Sequence, residues 1–208
     1  MQNNRKIVAA GYTADSGHKY FALIRYHEDG VPDNSFGRDG MVTTHIGGAR
    51  NIARSTAIQT DGKIIVAGIT FNGTDWDAAL TRYNTDGRLD STFGINGIVT
   101  AGGSGDDEVY SVAIQPDGRG SEKIIVAGYS DESGNPHFML IRFNPNGIID
   151  SSFGTAGIVI TPIGVESEIL SSTIQENGKV IAAGYSYNGS DCDFIIARYN
   201  QDGNQREY

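Results

Sequence analysis

One set of segments returns four times along this chain, and that periodicity constrains the fold more than any composition figure. Lys6-Ile-Val-Ala-Ala-Gly-Tyr12 reappears as Lys63-Ile-Ile-Val-Ala-Gly-Ile69, Lys123-Ile-Ile-Val-Ala-Gly-Tyr129 and Lys179-Val-Ile-Ala-Ala-Gly-Tyr185, at spacings of 57, 60 and 56 residues. A second segment keeps step with it: Phe21-Ala-Leu-Ile-Arg-Tyr26, Ala78-Ala-Leu-Thr-Arg-Tyr83, Phe138-Met-Leu-Ile-Arg-Phe143 and Phe194-Ile-Ile-Ala-Arg-Tyr199. Two others occur three times each. They are the Gly-Ile-Val-Thr type beginning at Gly40, Gly97 and Gly157, and the Ala-Ile-Gln type beginning at Ser55, Ser111 and Ser171. Self-similarity at a fixed period marks a stack of like supersecondary units.

Each segment is four to eight residues long, rich in Ile, Val, Thr, Tyr and Phe, and bounded by Gly, Asn or Asp. That pattern predicts strands, and no stretch has helical periodicity. Asp61-Gly62, Asp117-Gly118 and Asn177-Gly178 separate one strand pair; Asp29-Gly30, Asp86-Gly87, Asn146-Gly147 and Asp202-Gly203 close another. Glycine in such pairs supplies the positive φ of a tight turn. Four antiparallel strands per period predict an all-β fold, a β-propeller-type repeat of four-stranded blades. A right-handed β-helix would need shorter and more uniform coils. The expected organisation is a single repeat domain over 1–208, with repeats near 6–62, 63–122 and 123–178 and an incomplete one over 179–208. By analogy with other propellers, the Ala-Ile-Gln segment is innermost and the Gly-Ile-Val-Thr segment outermost. The chain then supplies fourteen strands, about three and a half blades.

The string Arg82-Tyr-Asn-Thr-Asp-Gly-Arg-Leu-Asp-Ser-Thr-Phe-Gly94, with Gly97, Ala113-Ile-Gln-Pro-Asp-Gly118 and Ile124-Ile-Val-Ala-Gly128, resembles the delta-60 repeat. The resemblance runs over residues 6 to 203. It implies a bacterial propeller-type repeat protein, often exported or at the cell surface and often part of a longer chain. The family has no agreed catalytic residues, so no activity transfers from it.

Charge narrows the partners. Sixteen Lys and Arg against 25 Asp and Glu give a net charge of −9. Such a chain repels phosphate backbones and anionic lipid, which argues against nucleic acid as a partner. No apolar run reaches the roughly 18 residues of a spanning helix, so membrane insertion by a helix is not expected. The single cysteine, Cys192, excludes an internal disulfide and a cysteine-rich zinc site, and its neighbouring aspartates disfavour a reactive thiolate.

Arg25, Arg82 and Arg142 stand in apolar strands, each eight residues before an aspartate: Asp33, Asp90 and Asp150. A guanidinium withdrawn from water needs a carboxylate, so each pair is expected to form a structural clasp within its repeat. Phe36, Phe93 and Phe153 follow as wedges between blades. The fourth repeat departs: Arg206 stands where aspartate is due from Arg198, and Glu207-Tyr208 replace Ser-Phe-Gly. That departure suits either a worn last repeat or a piece of a longer array.

Chemistry, if present, is expected in the loops of one face, where the repeats differ. Asp75-Trp76-Asp77 and Asp191-Cys192-Asp193 are matching Asp-x-Asp pairs, each preceded by Asn-Gly-Thr or Asn-Gly-Ser. Oxygen-rich loops of this kind are candidate Ca²⁺ or Mg²⁺ ligands through Asp75, Asp77, Asp191 and Asp193, against the plainer expectation of solvated turns and no cofactor. His45, Trp76, Asp106, Asp107, His137, Glu166 and Glu168 make the candidate binding surface on the same face, its carboxylates expected to be exposed. Paired carboxylates do acid–base work only with a raised pKa in a closed pocket. The nucleophile-elbow pattern Gly-x-Ser-x-Gly is absent: Asp106 stands where its last glycine belongs. The sequence therefore points to a non-enzymatic module for binding a protein or carbohydrate ligand. The alternative is a hydrolase with a carboxylate or metal site on the loop face. An unfinished ring would leave apolar blade faces uncovered, which suggests a ring-completing homodimer.

Overall fold

The computed structural model describes residues 2, 5–118, 120–131, 134–204 and 206–207; Tyr208, named in the last repeat, lies outside them. Among the described residues the repeat becomes four antiparallel sheets and no helix. The first has three strands, β1 (Ile7–Asp15), β2 (His18–Tyr26) and β3 (Met41–Thr44). The second runs β4 (Asn51–Ile58), β5 (Ile64–Phe71), β6 (Trp76–Tyr83) and β7 (Ile98–Ala101). The third runs β8 (Asp107–Pro116), β9 (Glu122–Ser130), β10 (His137–Phe143) and β11 (Ile158–Thr161). The fourth runs β12 (Glu166–Ile174), β13 (Val180–Tyr187), β14 (Cys192–Tyr199) and β15 (Arg206–Glu207).

The strand count differs from the sequence expectation by one, because β15 is present. It pairs with Arg198 and Tyr199, whereas β7 pairs with Ala78–Thr81, four residues of mid-strand β6. Its counterparts in the other blades are the isolated bridges Tyr26–Pro32, Tyr83–Leu89 and Phe143–Ile149. Main-chain pairing asks nothing of the side chains, so this bridge forms without the Gly-Ile-Val-Thr motif. Among the described residues, no strand of the fourth blade occupies the place of β3, β7 and β11.

The inner strands β4, β8 and β12 lie against one another. Ser55 Oγ accepts from the Val112 amide at 3.1 Å, and Ser111 Oγ accepts from the Ser172 amide at 3.0 Å. Each inner strand carries one bulge, between Ala53 and Ser55, Val109 and Ser111, and Ile169 and Ser171. The bulge explains the repeated glycine of the second strand. A Cβ on Gly68, Gly128 or Gly184 would lie 2.0, 1.9 or 1.9 Å from the carbonyl oxygen of Ile52, Glu108 or Glu168. Only glycine lets the bulged backbone come so close. Gly11, in the blade that has no inner strand among the described residues, has nothing within 4 Å of that position.

Alternation along the strands gives every blade two apolar faces, because cross-strand partners share a side. In the second blade Ile64, Val66, Ala79 and Tyr83 pack with Phe21, Leu23 and Phe36 of the first. Its other face, Ile65, Ala67, Ala78 and Leu80, packs with Ile124, Val126 and Met139 of the third. The third blade repeats this with Ile125, Ala127, Phe138 and Leu140 against Val180, Ala182, Ala197 and Tyr199 of the fourth. The core is thus three layers between four blades.

Candidate functional site

The repeated polar residues lie inside this scaffold. Arg25 Nε stands 2.7 Å from Asp33 Oδ2, Arg82 Nε 2.8 Å from Asp90 Oδ2, and Arg142 Nε 3.0 Å from Asp150 Oδ2, all six residues buried. The lysine that opens each repeat reaches the same carboxylate: Lys6, Lys63 and Lys123 at 2.7, 2.9 and 3.0 Å. The hydroxyls of Ser35, Thr92 and Ser152 donate to the remaining oxygen. Each guanidinium lies over a phenylalanine, Phe36, Phe93 or Phe153, at 4.4, 4.7 and 4.5 Å. Each also donates across the blade boundary, to the carbonyl of Thr85, Pro145 or Gln201. Burial pushes these carboxyls up, but the hydrogen bonds from lysine and hydroxyl and the arginine charge outweigh it. All three are held below the ordinary aspartate value, Asp150 at about 2. They are fixed anions in a structural clasp.

The Asp-x-Asp loops are organised by their asparagines. Asn72 Oδ1 accepts from the amides of Thr74 and Asp75, an Asx turn, and its Nδ2 donates to Asp75 and, at 2.9 Å, to Asp77 Oδ2. In the fourth blade Asn188 Oδ1 accepts from Ser190 and Asp191, and its Nδ2 donates to Asp193 at 3.2 Å. Among the described residues no group of three or more His, Cys, Asp or Glu side chains converges as a metal-ligand set. Cys192 is exposed at the start of β14.

The remaining loop residues have different partners. Asp107 corrects the expectation of exposed carboxylates. It is 5 % exposed and accepts from the Gly103 amide at 2.7 Å, because the loop folds back over the first residue of β8. Asp106 accepts from the Trp76 amide at 2.9 Å and donates its own amide to Asp131, tying two loops together. Trp76 packs on Phe71 with ring centroids 5.4 Å apart, and His45 on Tyr20 at 5.7 Å. His137 opens β10 with its Nδ1 buried and without a hydrogen-bond partner. Glu166 opens β12 opposite Tyr187.

Glu168 lies beside a cluster at the loop-side end of the inner strands. Arg54 and Tyr110 are the bulge residues of β4 and β8, and the Arg54 guanidinium sits 4.3 Å over the Tyr110 ring. Arg54 also pairs with Glu108 at 2.7 Å, and the Tyr110 hydroxyl donates to Glu108 at 3.1 Å. Tyr129, the cross-strand partner of Glu108, has its ring 6.2 Å from that of Tyr110. Tyr185, the cross-strand partner of Glu168, is hydrogen-bonded to it. Burial, then the charge of Glu108, raises the Tyr110 and Tyr129 pKa values; burial, then the bond to Glu168, raises that of Tyr185. These phenols stay neutral at any physiological pH. The cluster offers half-buried aromatic faces framed by two carboxylates and one guanidinium.

Sequence reasoning missed Arg54, Tyr110, Tyr129 and Tyr185. A signal existed. Arg54, Tyr110 and Leu170 all precede the repeated serine, and Tyr129 and Tyr185 end the Lys-Ile-Val motif where the second repeat has Ile69.

Comparison with known families follows the repeat. A family model described as a domain of unknown function, DUF5122 β-propeller, matches residues 2–36, 59–93, 115–153 and 175–205, well over half of the chain. The chain belongs to the DUF5122 β-propeller family. In this DUF5122 propeller the matched stretches hold all three clasps, whereas the bulge residues Arg54, Tyr110 and Leu170 fall between them. No curated protein matches the sequence significantly. Two solved structures resemble the chain at a distance. A gluconolactonase from Xanthomonas campestris is 13% identical, with a TM-score of 0.48, over 93% of this chain and 59% of that one. A fucose lectin from Kordia zhangzhouensis, solved with methyl-fucoside, is 13% identical, with a TM-score of 0.37, over 74% of this chain and 94% of that one. The DUF5122 chain thus spans about three fifths of the gluconolactonase, and neither likeness bears on its activity.

Proposed function

We propose that this DUF5122 propeller is a non-catalytic binding module of the delta-60 repeat kind, and that its ligand is neutral and rich in hydroxyls, such as a carbohydrate. The observation that carries this reading is the cluster of Arg54, Glu108, Tyr110, Tyr129, Glu168 and Tyr185 where the inner strands meet. Tyrosine faces give a flat apolar platform for a sugar ring, and flanking carboxylates and a guanidinium accept from and donate to its hydroxyls. Two carboxylates against one guanidinium repel an anionic ligand. Hydrolysis would call for a carboxyl held protonated, whereas Asp33, Asp90, Asp150 and Asp202 are all held below the ordinary aspartate value. Binding is therefore preferred to hydrolysis.

Calorimetric titration with neutral methyl glycosides and oligosaccharides tests the proposal. Saturable heat is expected with at least one sugar, lost in Tyr129→Ala and in Glu108→Gln while far-UV circular dichroism is unchanged. Turnover of a bound glycoside would replace the binding module with the hydrolase. Absence of heat with every sugar would overturn the assignment.

A further inference from the structure

The two ends of the blade series expose complementary halves of one interface. In the first three blades the forward face holds Phe21 and Leu23, Ala78 and Leu80, and Phe138 and Leu140, all buried against the next blade. In the fourth blade the same positions hold Phe194 and Ile196, which are 75 % and 48 % exposed. At the other end, the backward face of the first blade carries Ile7, Ala9, Ala22, Ile24 and Tyr26. These align with Ile64, Val66, Ala79, Thr81 and Tyr83, which are fully buried in the second blade. Ile7 is 40 % exposed, and Met41, opposite Ile24 on β3, is 46 % exposed. Each end lacks what the other end presents.

We infer that the forward face of the fourth blade packs on the backward face of the first blade of a second copy of this chain, head to tail. Two copies joined this way at both ends close a ring of eight sheets. Three interfaces inside the chain already show the packing: a forward Phe or Ala and Leu enter between the Ile, Val and aromatic side chains of a backward face. The polar crossing has its counterpart too. Arg25, Arg82 and Arg142 donate to the main chain of the following blade at Thr85, Pro145 and Gln201. Arg198 stands at the corresponding place in the fourth blade, and Glu28 aligns with those three acceptors in the first. The pairing is heterologous, so it closes only when both faces are intact. Contiguous apolar faces of this kind are rare on monomeric proteins.

Size-exclusion chromatography with light scattering of the 208-residue chain reads the outcome. Wild type is expected at twice the 22.2 kDa chain mass. Phe194→Asp and Ile7→Asp change exposed positions at opposite ends, and each variant alone is expected at the single-chain mass with unchanged circular dichroism. Mixing the two variants restores a one-to-one pair, because each contributes the face the other has lost. A wild type that runs at the single-chain mass overturns the inference. So does a dimer that survives Ile7→Asp but not Phe194→Asp, which would mean that fourth blades pair with each other. Folded variants that stay apart on mixing overturn it as well.

Discussion

Phe138 and Phe194 occupy the same place in successive blades and live in opposite surroundings. Each is followed two residues later by an aliphatic side chain on the same face, Leu140 or Ile196, and each pairs across its sheet with a tyrosine, Tyr129 or Tyr185. Phe138 is fully buried, whereas three quarters of Phe194 faces solvent. The sequence of a blade therefore prepares both faces for burial, and only the presence of a neighbour decides whether burial happens. Stability in this architecture is a property of pairs of blades.

The largest test of that contrast is truncation at the two positions. Phe138→Ala is expected to cost about 3–5 kcal/mol in urea unfolding, the usual range for a buried phenylalanine, while Phe194→Ala in dilute protein changes stability by less than about 0.5 kcal/mol. Comparable losses at both sites would mean that the fourth blade's forward face is covered within a single chain.

The clasps sharpen the same comparison. Asp150→Ala leaves the Arg142 guanidinium buried without its carboxylate and is expected to cost about 3–5 kcal/mol. Arg198 is only half-buried, and Arg206 stands eight residues after it in place of an aspartate, so Arg198→Ala is expected to lower the urea midpoint less.

Glycine gives the third contrast. Gly128→Ala drives a methyl into the Glu108 carbonyl and should destabilise by about 1–3 kcal/mol, a typical cost of overpacking. Gly11→Ala meets open space and should be neutral or stabilise by up to about 1 kcal/mol through the unfolded state. Chemical denaturation of the two variants side by side decides it.

Acid tests the three Arg–Asp clasps. The Asp150 pKa is lowered in the folded state from 3.8 to about 2. Its contribution is therefore fully present above pH 3.8 and is lost as pH falls through the folded value. That single site is worth no more than ~2 kcal/mol. Thermal melts of wild type should lose stability between pH 4 and 2, and Asp150→Asn should flatten that slope.

Much of this was legible in the sequence, for reasons particular residues make plain. Turn pairs such as Asp86-Gly87 and the even spacing of the strands suffice to read blades, because hairpin chemistry is local. The eight-residue step from Arg82 to Asp90 is local as well. Lys63 was not legible as a third member of that clasp, since 27 residues of chain separate it from Asp90 and only the sheet brings them together. The loop-side cluster escaped for a related reason. A bulge turns Arg54 and Tyr110 out of simple alternation, so counting faces along β4 or β8 misplaces them. Asp107 reads as a solvated loop carboxylate until the loop is seen to close over it.

The clasps and the tyrosine cluster sit at opposite ends of the same strands: in β9, Ile125 pairs with Arg142, whereas Tyr129 pairs with Phe138 at the far end. The clasps that cross the blade boundaries are therefore remote from the residues proposed to meet a ligand. A repeat of this design can be copied, and its loops and bulge residues rewritten, without disturbing the Arg–Asp clasps. Such a chain can keep one skeleton while its loop-side surface drifts, so new surface chemistry can arise here without loss of the fold.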